Sequence, residues 1–432
     1  MWSAAELSGA TNGAMRTPFG ATGVSIDTRT LQPGDLFVAL AGENGDGHDH
    51  VAAALAAGAA GAMVHRDVPG TTLLVHDTRD ALWALAAAAR RRFTGRMIAV
   101  TGSAGKTTTK EMLRVILSAA GLTHAAHASY NNHWGVPLTL ARLPPDAAFC
   151  VAEIGTNHPG EIGPLSVLVR SDVVIITNVE PAHIGHFGSI EAIADEKSAI
   201  GEGLRPGGIA VLPGDSPMLP RLSVRAEQTR LFGTAQVRGG ASDAAGSDVD
   251  ATVDGHDVHF RVNAPGPHMI LNALAALTAA AALGVDGSTS MGGFAPLAGR
   301  GEHRALPNGA VLIDESYNAN PASVRAALVV LRGLTGRRVA VLGDMLELGS
   351  FGPAEHAGLA EAVDRAADRV FTCGTLMRGL FDALPAAKRG AHADDAAGLA
   401  SLVVAAPGDI ILVKGSLGSR MAVIVRTLEG AA

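Results

Sequence analysis

The chain of 432 residues contains little cysteine, few aromatic residues and a modest share of charge. Its two cysteines, Cys150 and Cys373, lie far apart in the sequence, so a disulfide framework is excluded and a reducing compartment is expected. Aromatic residues make up 4% of the chain, and the net charge is −7. A general nucleic-acid-binding protein needs a basic face, which this charge balance does not favour.

Long apolar runs are also missing. The most membrane-like stretch, residues 269–285, is mostly alanine, includes Asn272 and Thr278, and is shorter than the roughly 20 strongly apolar residues of a membrane span. Residues 1–3 (MWS) lack the basic start and the apolar core of a signal peptide. We therefore expect a cytoplasmic protein without a membrane partner.

Hydrophobic residues, by contrast, make up 47% of the chain, and they form short runs that alternate with alanine-rich amphipathic segments. This alternation is typical of parallel β-sheets covered by helices, so the fold class is α/β. We divide the chain into three domains, residues 1–93, 94–298 and 299–432. Residues 90–96 are interpreted as a linker, and residues 238–257 as an excursion of β-hairpins outside the core.

The short apolar runs predict the strands of each domain. The predicted strands are 24–26, 36–40 and 61–64 in the first domain, 97–100, 148–152, 173–177 and 209–212 in the second, and 311–313, 339–342, 370–372 and 410–413 in the third. A helix is predicted at 50–60. Another begins at Pro321, because Asn320 is a favoured N-cap and Pro a favoured first helical residue.

The strongest local signal is residues 100–108 (VTGSAGKTT), which join a predicted strand to a predicted helix. Glycines let backbone N–H groups close around an anion, and a helix N-terminus favours negative charge. Lys106 would then reach the β- and γ-phosphates of ATP, and Thr107 would bind magnesium. The spacing of Gly102 and Gly105 is shorter than usual, and the alternative is a glycine-rich turn with a solvated lysine. The predicted nucleotide-binding residues of this loop are Gly102, Ser103, Ala104, Gly105, Lys106, Thr107 and Thr108.

Two side chains beyond the loop are predicted to face it. Glu153 follows the strand at 148–152, and a carboxylate at the carboxyl end of a parallel strand is where a magnesium ligand is expected. His183 follows the strand at 173–177. The alternatives are a solvated glutamate and a hydrogen-bonded structural histidine.

Three other residues have ordinary structural interpretations. Lys197 fits a surface lysine paired with a nearby carboxylate, Asn272 a buried polar residue at a helix N-terminus, and Arg300 a surface ion-pair partner. The carboxylates near Lys197 in the sequence are Glu191, Asp195 and Glu196.

The compact phosphate loop resembles that of the Mur ligase family, the ATP-dependent amide-forming enzymes of peptidoglycan synthesis, and of the related folylpolyglutamate synthases. Residues 131–139 (NNHWGVPLT), 153–160 (EIGTNHPG) and 178–183 (NVEPAH) are similar to further blocks of the family. Residues 314–321 (DESYNANP) and 342–349 (LGDMLELG) resemble the member that adds D-alanyl-D-alanine to UDP-MurNAc-tripeptide. Each motif alone is weak, and together they are specific.

The resemblance implies a three-domain ligase with a substrate domain, a central ATP-binding sheet with helices on both faces, and a Rossmann-like domain for D-Ala-D-Ala. It implies ATP, two magnesium ions and an acyl-phosphate intermediate on the route to UDP-MurNAc-pentapeptide. His183 would bind the second magnesium, supported by a carbamylated Lys197. Asn272 would contact adenine and Arg300 the phosphates after domain closure. Asp314 would hold the ribose or orient lysine and metal groups across the cleft. The expected catalytic residues are Lys106, Glu153, His183, Lys197 and Arg300, and the expected metal ligands are Thr107, Glu153, His183 and Lys197.

The resemblance also assigns substrate contacts in polar segments that loop chemistry alone would explain. The expected substrate-binding residues are Asp27, Thr28, Arg29, His48, Asn131, Asn132, Asn318 and Lys414. The sequence departs from the family at Gly185, where Glu is usual, and at Leu417, where Arg is usual. Residues 183–186 (HIGH) imitate a class I aminoacyl-tRNA synthetase signature, whose second motif is absent.

Other functions stay open at this point. Within the family, the enzyme that adds the third peptide residue and folylpolyglutamate synthase are the alternatives. From another class, a nucleotide-dependent switch would hydrolyse ATP slowly and without response to amines. The sequence leaves open the third residue of the tripeptide, the strictness for D-Ala-D-Ala and the arrangement of the domains, and we expect a monomer.

Overall fold

The computed structural model describes residues 1–42, 45–126 and 128–430. Three separate α/β units follow one another along the chain, each built around its own largely parallel sheet. The predicted fold class is therefore confirmed. Within the described residues, none of the helices has the length and apolar character that crossing a membrane requires.

The N-terminal domain has a five-stranded sheet in the order β1-β7-β6-β3-β2, in which only β1 is antiparallel to its neighbour. Its elements are α1 (Ala4–Thr11), β1 (Ala14–Met15), β2 (Gly23–Ser25), β3 (Asp35–Val38), β4 (Ala41–Gly42), β5 (Gly45–Asp46), α2 (Val51–Ala56), β6 (Gly61–Val64), β7 (Thr72–Leu74) and α3 (Thr78–Arg92). The predicted helix at 50–60 is shorter than expected. The predicted linker is wrong, because Arg90 lies in the last turn of α3 and Arg96 begins the next strand.

The central domain has a six-stranded parallel sheet in the order β13-β12-β11-β8-β10-β9. Its elements up to the sheet edge are β8 (Arg96–Thr101), α4 (Lys106–Ser118), β9 (Thr123–Ala125), α5 (Gly135–Ala141), β10 (Phe149–Glu153), α6 (Ile162–Val169), β11 (Val173–Ile176), α7 (Ile184–Phe187), α8 (Ile190–Ser198), β12 (Ile209–Pro213) and β13 (Gln228–Phe232). Strand β8 lies between β10 and β11. Ligands bind at such a switch point, where neighbouring strands lead away on opposite sides.

The hairpins predicted in the polar stretch form a three-stranded antiparallel sheet, but the expectation that they lie outside the core is wrong. The strands are β14 (Val237–Ser242), β15 (Ser247–Val253) and β16 (His256–Val262), followed by α9 (Pro267–Ala282). Burial alternates along β15, as expected for a strand with one face in the core. Val249, Val253 and Phe260 are buried in the same apolar cluster as α9. The sheet therefore supports α9, which lines the site described below.

The C-terminal domain has a six-stranded sheet in the order β17-β18-β22-β19-β20-β21, with β17 antiparallel. Its elements are β17 (Glu302–Ala305), β18 (Val311–Glu315), α10 (Pro321–Gly333), β19 (Arg337–Gly343), α11 (Gly352–Ala357), α12 (Ala360–Ala366), β20 (Arg369–Cys373), α13 (Met377–Ala383), β21 (Arg389–Ala393), α14 (Ala396–Ala400), β22 (Asp409–Lys414) and α15 (Ala422–Gly430). Helix α10 begins at Pro321 with Asn320 as its N-cap, as predicted.

The two cysteines are free and buried, Cys150 on β10 and Cys373 on β20. Burial raises the pKa of each thiol to about 12. Both therefore stay protonated at neutral pH and act as small apolar core residues.

Candidate active site

A cleft of about 660 Å³ opens between the central and C-terminal sheets. Its lining side chains come from segments 103–272 and 299–418 of the described chain, and none comes from residues 1–42 or 45–93. The cleft lies beyond the carboxyl ends of β8, β10 and β11, which register puts side by side, since Val100 pairs with both Glu153 and Ile175. The architecture therefore gathers strand-end side chains at one place.

Neighbouring side chains closely approach two glycines of the phosphate loop. Gly102 and Gly105 have φ angles of +150° and +77°, and a Cβ atom on them would lie 1.8 Å from Oγ1 of Thr177 and 2.3 Å from Oδ1 of Asn272. Glycine is required at both positions. The second contact places Asn272, on the first turns of α9, directly against the loop.

Lys106 folds back over the loop, with its Nζ donating to the carbonyl of Gly102 at 2.7 Å. Burial lowers the pKa of Lys106 from its ordinary value, with Glu153 opposing and Arg300 adding to that effect. The side chain is half-buried and bonded to the loop rather than extended into solvent. The ammonium lies inside the cleft, where charge acts more strongly than in water.

Glu153 is the buried acid of the site, 1% exposed, so the alternative of a solvated glutamate is wrong. Its Oε2 accepts from the hydroxyl of Thr107 at 2.9 Å, and its Oε1 accepts from Nδ2 of Asn131 at 2.8 Å. One carboxylate and one hydroxyl beside a phosphate loop fit magnesium, which takes few protein ligands and completes its shell with phosphate oxygens and water.

His183 lines the same cleft but turns toward the C-terminal domain. Its backbone is left-handed, with φ of +55°, and its Nδ1 lies 2.5 Å from Oε2 of Glu347. This contact lowers the pKa of Glu347 below its ordinary value, although burial opposes it. Among the described residues no cluster of three or more His, Cys, Asp or Glu side chains is arranged to hold a metal on its own. The role of His183 as a metal ligand stays a prediction.

Lys197 is buried on α8, so its interpretation as a surface lysine is wrong. The carboxylates next to it are engaged elsewhere, Asp195 with Arg221 at 2.5 Å and Glu196 with the backbone N–H of Gly160 at 2.7 Å. Burial and the charge of Lys106 hold the pKa of Lys197 well below its ordinary value, with Glu196 opposing. Its neutral amine form is therefore strongly favoured compared with that of an ordinary lysine.

Arg300 reaches across from the C-terminal domain rather than forming a surface ion pair. Its Nη2 donates to Oγ of Ser129 at 2.6 Å, and its guanidinium lies 4.0 Å from the ring centroid of Tyr317. Asn320 makes a second bridge, because its Oδ1 caps α10 while its Nδ2 donates to the carbonyl of Ser103 at 3.3 Å. The two sheets therefore meet directly at the phosphate loop.

Asp314 is bonded within its own domain, and its contact with the ribose stays a prediction. Its carboxylate contacts Arg304 and accepts from the backbone N–H of Ser316 at 3.0 Å, and it is not among the cleft-lining residues. The neighbouring Glu315 lines the cleft instead. Its Oε2 binds Nζ of the buried Lys414 at 2.9 Å, and that Nζ also donates to the carbonyl of Asn318 at 2.9 Å.

The predicted substrate residues of the N-terminal domain lie outside this cleft. Asp27 and Arg29 form an exposed ion pair at 2.6 Å, with Thr28 between them. The buried His48 has both ring nitrogens bonded within the domain, Nδ1 to Asp46 at 2.6 Å and Nε2 to the N–H of His65 at 3.1 Å. A direct contact of this ring with a ligand would need one of these bonds to break. The neighbouring Glu43 and Asn44 lie outside the described residues.

Of the predicted pair in the Asn131 block, Asn131 binds Glu153 and Asn132 caps α5 by accepting from the N–H of Gly135 at 2.9 Å. Sequence reasoning missed four residues that take part in the site, Lys110, Ser129, Glu315 and Tyr317. Glu315 and Tyr317 lie in a block that the resemblance already singled out. No pattern in the sequence marks Ser129 or the burial of Lys110.

Comparisons with known proteins cover nearly the whole chain. Three family models match: the catalytic domain of the Mur ligase family at residues 21–93, the Mur ligase middle domain at 100–280, and the Mur ligase glutamate ligase domain at 299–417. The UDP-N-acetylmuramoyl-tripeptide–D-alanyl-D-alanine ligase of Escherichia coli is 38% identical, with 94% of this chain and 93% of that protein covered. The Bacillus subtilis enzyme of the same name is 36% identical, with the same coverage.

Solved structures agree with the sequence relatives. A crystal structure of MurF from Acinetobacter baumannii superposes with a TM-score of 0.88 at 30% identity, covering 99% of both chains. MurF ligase from Thermotoga maritima in complex with ADP superposes with a TM-score of 0.80 at 27% identity, covering 94% of this chain and 97% of that one.

Proposed function

The chain belongs to the Mur ligase family, and from that premise we propose that it joins D-alanyl-D-alanine to UDP-N-acetylmuramoyl-tripeptide at the cost of one ATP. It is an ATP-dependent ligase. The observation that carries the proposal is the line of contacts that connects Arg300, through Ser129, with Thr107 of the phosphate loop and with Glu153. Such a site surrounds a transferred phosphoryl group with positive charge from two domains.

We propose that each of the three domains binds a different substrate. Residues 1–93 hold the UDP-sugar peptide through the polar segments at Asp27–Arg29 and His48, residues 94–298 hold ATP, and residues 299–432 present the dipeptide. Asn272 would contact the base of a nucleotide bound to the phosphate loop, which its position next to Gly105 supports. Lys414 and Asn318 line the face that the dipeptide would approach. The enzyme would act as a cytoplasmic monomer.

The proposed reaction has two steps. An oxygen of the tripeptide's terminal carboxylate attacks the γ-phosphorus of ATP, the bond to the β-phosphate oxygen breaks, and an acyl phosphate and ADP result. The dipeptide amine then attacks the acyl carbon, and the tetrahedral intermediate expels phosphate as the amine loses its proton. Lys106 and Arg300 are cations beside the groups that gain negative charge. A cleft that closes excludes water, which would otherwise hydrolyse the acyl phosphate.

Magnesium fits at Thr107 and Glu153, where it would neutralise phosphate charge and orient the γ-phosphate. We also propose that the Lys197 amine takes up carbon dioxide and releases a proton, which gives a carbamate. The depressed pKa supports this, because only the neutral amine has the required lone pair. A carbamate would give the buried position an anionic group, and with His183 it would form a second magnesium site.

The first test measures phosphate release from ATP with magnesium and UDP-MurNAc-tripeptide, with D-Ala-D-Ala, glycine, L-lysine or no amine. We expect release to require both the nucleotide-sugar peptide and D-Ala-D-Ala. Release in response to another amine would assign the chain to a different ligase of the family. Release that is indifferent to every amine would instead support a nucleotide-dependent switch.

The second test replaces the phosphate-loop lysine. We expect Lys106→Ala to abolish turnover without loss of fold, because it removes a cation from the phosphate site and leaves α4 intact. Circular dichroism and the melting temperature provide the control for folding. Normal turnover in this variant would contradict the assignment of the phosphate loop.

A further inference from the structure

Ser129 connects the two domains at the centre of the cleft, although nothing in the sequence marks it. Its Oγ lies 2.6 Å from Nη2 of Arg300 and 2.9 Å from Oγ1 of Thr107. Thr107 lies in turn 2.9 Å from Oε2 of Glu153. Four side chains from two domains thus form one line of hydrogen bonds, and Ser129 is the member that joins the domains.

The direction of every bond in this line follows from what each group can donate. Guanidinium has donors and no acceptor, so Arg300 donates to Ser129, while an ionised carboxylate only accepts, so Thr107 donates to Glu153. A hydroxyl has a single proton, and that of Thr107 is used on Glu153. Ser129 must therefore donate its own proton to Thr107. Each hydroxyl gives one bond and receives one, and the line is complete from cation to anion.

The segment before Ser129 is held by a buried cation. Lys110, on α4 one turn beyond Lys106, is fully buried, and its Nζ donates to the carbonyls of Ala126 at 2.5 Å and Ala128 at 3.1 Å. Its charge is balanced by two carboxylates, Glu111 at 3.2 Å and Glu153 at 4.0 Å. A buried lysine that bonds backbone carbonyls is costly to disturb, because its loss leaves those carbonyls unpaired. Ser129 is therefore fixed relative to the phosphate-loop helix itself.

The C-terminal domain, to which Arg300 belongs, constrains this side chain less. It lies beside the turn that opens the C-terminal domain, and its other close partner is the face of Tyr317 at 4.0 Å, which restrains the plane of the guanidinium but not its position along the ring. The hydrogen bond that Arg300 donates to Ser129 supplies the missing restraint. If a long side chain is ordered before the ligand binds, less conformational entropy is lost during binding and reaction.

We propose that Ser129 is a positioning residue that sets Arg300 of the C-terminal domain in register with Thr107 of the phosphate loop, and that Lys110 holds the segment which carries it. The inference rests on the proposed function in one respect, that Arg300 acts on the phosphates of ATP. It adds a route by which closure of the C-terminal domain is coupled to the phosphate site.

The experiment is a double-mutant cycle of Ser129→Ala and Arg300→Lys. Arg300→Lys keeps the charge but loses the planar fork. Ser129→Ala is expected to lower kcat about tenfold with less than about a threefold change in KM for ATP, since one positioning bond is lost. Ser129→Thr keeps the hydroxyl and is expected to recover most of kcat. In the Ser129→Ala background, Arg300→Lys is expected to cost much less than it does alone.

The same cycle is measured on binding of ADP with magnesium by titration calorimetry, which needs no turnover. Ser290→Ala, on a serine far from the cleft, is the matched control and is expected to leave both readouts unchanged. Additive effects of the two substitutions in both measurements would overturn the inference. So would a Ser129→Thr variant no better than Ser129→Ala.

This design separates the inference from the proposed function. If the unaltered protein shows no release dependent on D-Ala-D-Ala while the binding cycle is non-additive, the function is wrong and the role of Ser129 stands. If release depends on D-Ala-D-Ala but both cycles are additive, the function stands and the role of Ser129 is wrong.

Discussion

The central domain meets its two neighbours in opposite ways. Toward the N-terminal domain, buried side chains donate to backbone carbonyls across the boundary: Arg90 to Val169 and Arg170, each at 2.7 Å, and Trp2 to Ala141 at 2.9 Å. Helix α3 also packs along α5. Buried carbonyls left without partners cost free energy, so this boundary is built to stay closed.

Toward the C-terminal domain, the contacts are made by the site residues themselves. Arg300 binds Ser129, Asn320 binds the carbonyl of Ser103, and the His183 ring meets Glu347, whose side chain is 47% exposed. Nucleotide and water can replace each of these partners. The first boundary therefore fixes the architecture, whereas the second is assembled from groups that also serve the ligand.

Substitution of Arg300 should have the strongest effect, and it tests whether the second boundary serves turnover rather than stability. We expect Arg300→Ala to lower kcat about a thousandfold, about 4 kcal/mol in the barrier, because a cation at the phosphates is lost. The melting temperature should stay within about 1 °C, since only one half-buried hydrogen bond and the contact with the Tyr317 ring are lost. Steady-state kinetics and calorimetry check both parts. A large fall in melting temperature would remove the contrast between the boundaries.

A smaller effect is expected at the first boundary, between the N-terminal and central domains. Arg90→Met removes a buried guanidinium that donates to three carbonyls, two of them across the boundary, and we expect a loss of about 3 kcal/mol in the free energy of unfolding. Turnover of the folded enzyme at low temperature should be unchanged. Arg91→Met, on the exposed side of the same helix, is the matched control and should cost less than about 0.5 kcal/mol. Urea unfolding monitored by circular dichroism distinguishes the two variants.

A smaller effect is expected where the backbones of the second boundary touch. A Cβ on Gly185 would lie 2.6 Å from the backbone nitrogen of Gly349, so Gly185→Ala should hold α7 and the C-terminal domain apart. We expect kcat to fall about tenfold, which corresponds to about 1.4 kcal/mol in the activation barrier.

 Gly379→Ala, at a glycine with open space around its Cβ position, is the matched control. Kinetics together with small-angle scattering test the prediction, and unchanged values of both for Gly185→Ala would contradict it.

The smallest effect is expected for Asp46 in the N-terminal domain, whose contribution to stability depends on pH. The backbone N–H of His48 holds the pKa of Asp46 at about 2, with burial opposing and the His48 ring and Arg66 assisting. Because the folded pKa is below the ordinary value, the carboxylate stabilises the fold fully above about pH 4, and this contribution is lost as the pH falls toward 2.

Asp46→Asn should therefore lower stability by less than about 1 kcal/mol at pH 6, since the carboxylate is partly exposed and its interactions are screened by solvent. The difference from the unaltered protein should shrink as the pH falls below about 4. Asp49→Asn is the control, and thermal unfolding across the pH range is the measurement. A difference that grows with acidity would have the wrong sign.

Local patterns were sufficient for the parts of the site that depend on neighbours in sequence. The phosphate loop and the start of α10 at Asn320 and Pro321 were predicted, because capping and glycine-rich anion binding are set by adjacent residues. The parallel sheets followed from the lengths and spacing of the apolar runs.

The rest depended on tertiary contacts that no local pattern encodes. Lys197 has charged neighbours and lies on an amphipathic helix, so the sequence favours exposure, yet α8 turns it inward. Arg90 belongs to a basic run that is typical of a linker, and it is buried because the carbonyls of Val169 and Arg170 need donors. The alternation of Asp314 and Glu315 on β18 decided which carboxylate faces the cleft, and the sequence alone did not fix which of the two it would be.

The burial of Cys150 and Cys373 has a practical consequence for spectroscopy. Thiols with a pKa of about 12 and no solvent access do not react with maleimide dyes under native conditions. The native cysteines therefore do not interfere with site-specific labelling of an introduced cysteine. One cysteine introduced on the surface of each domain flanking the cleft would report their separation by energy transfer, in single molecules and during turnover, without removing a native residue.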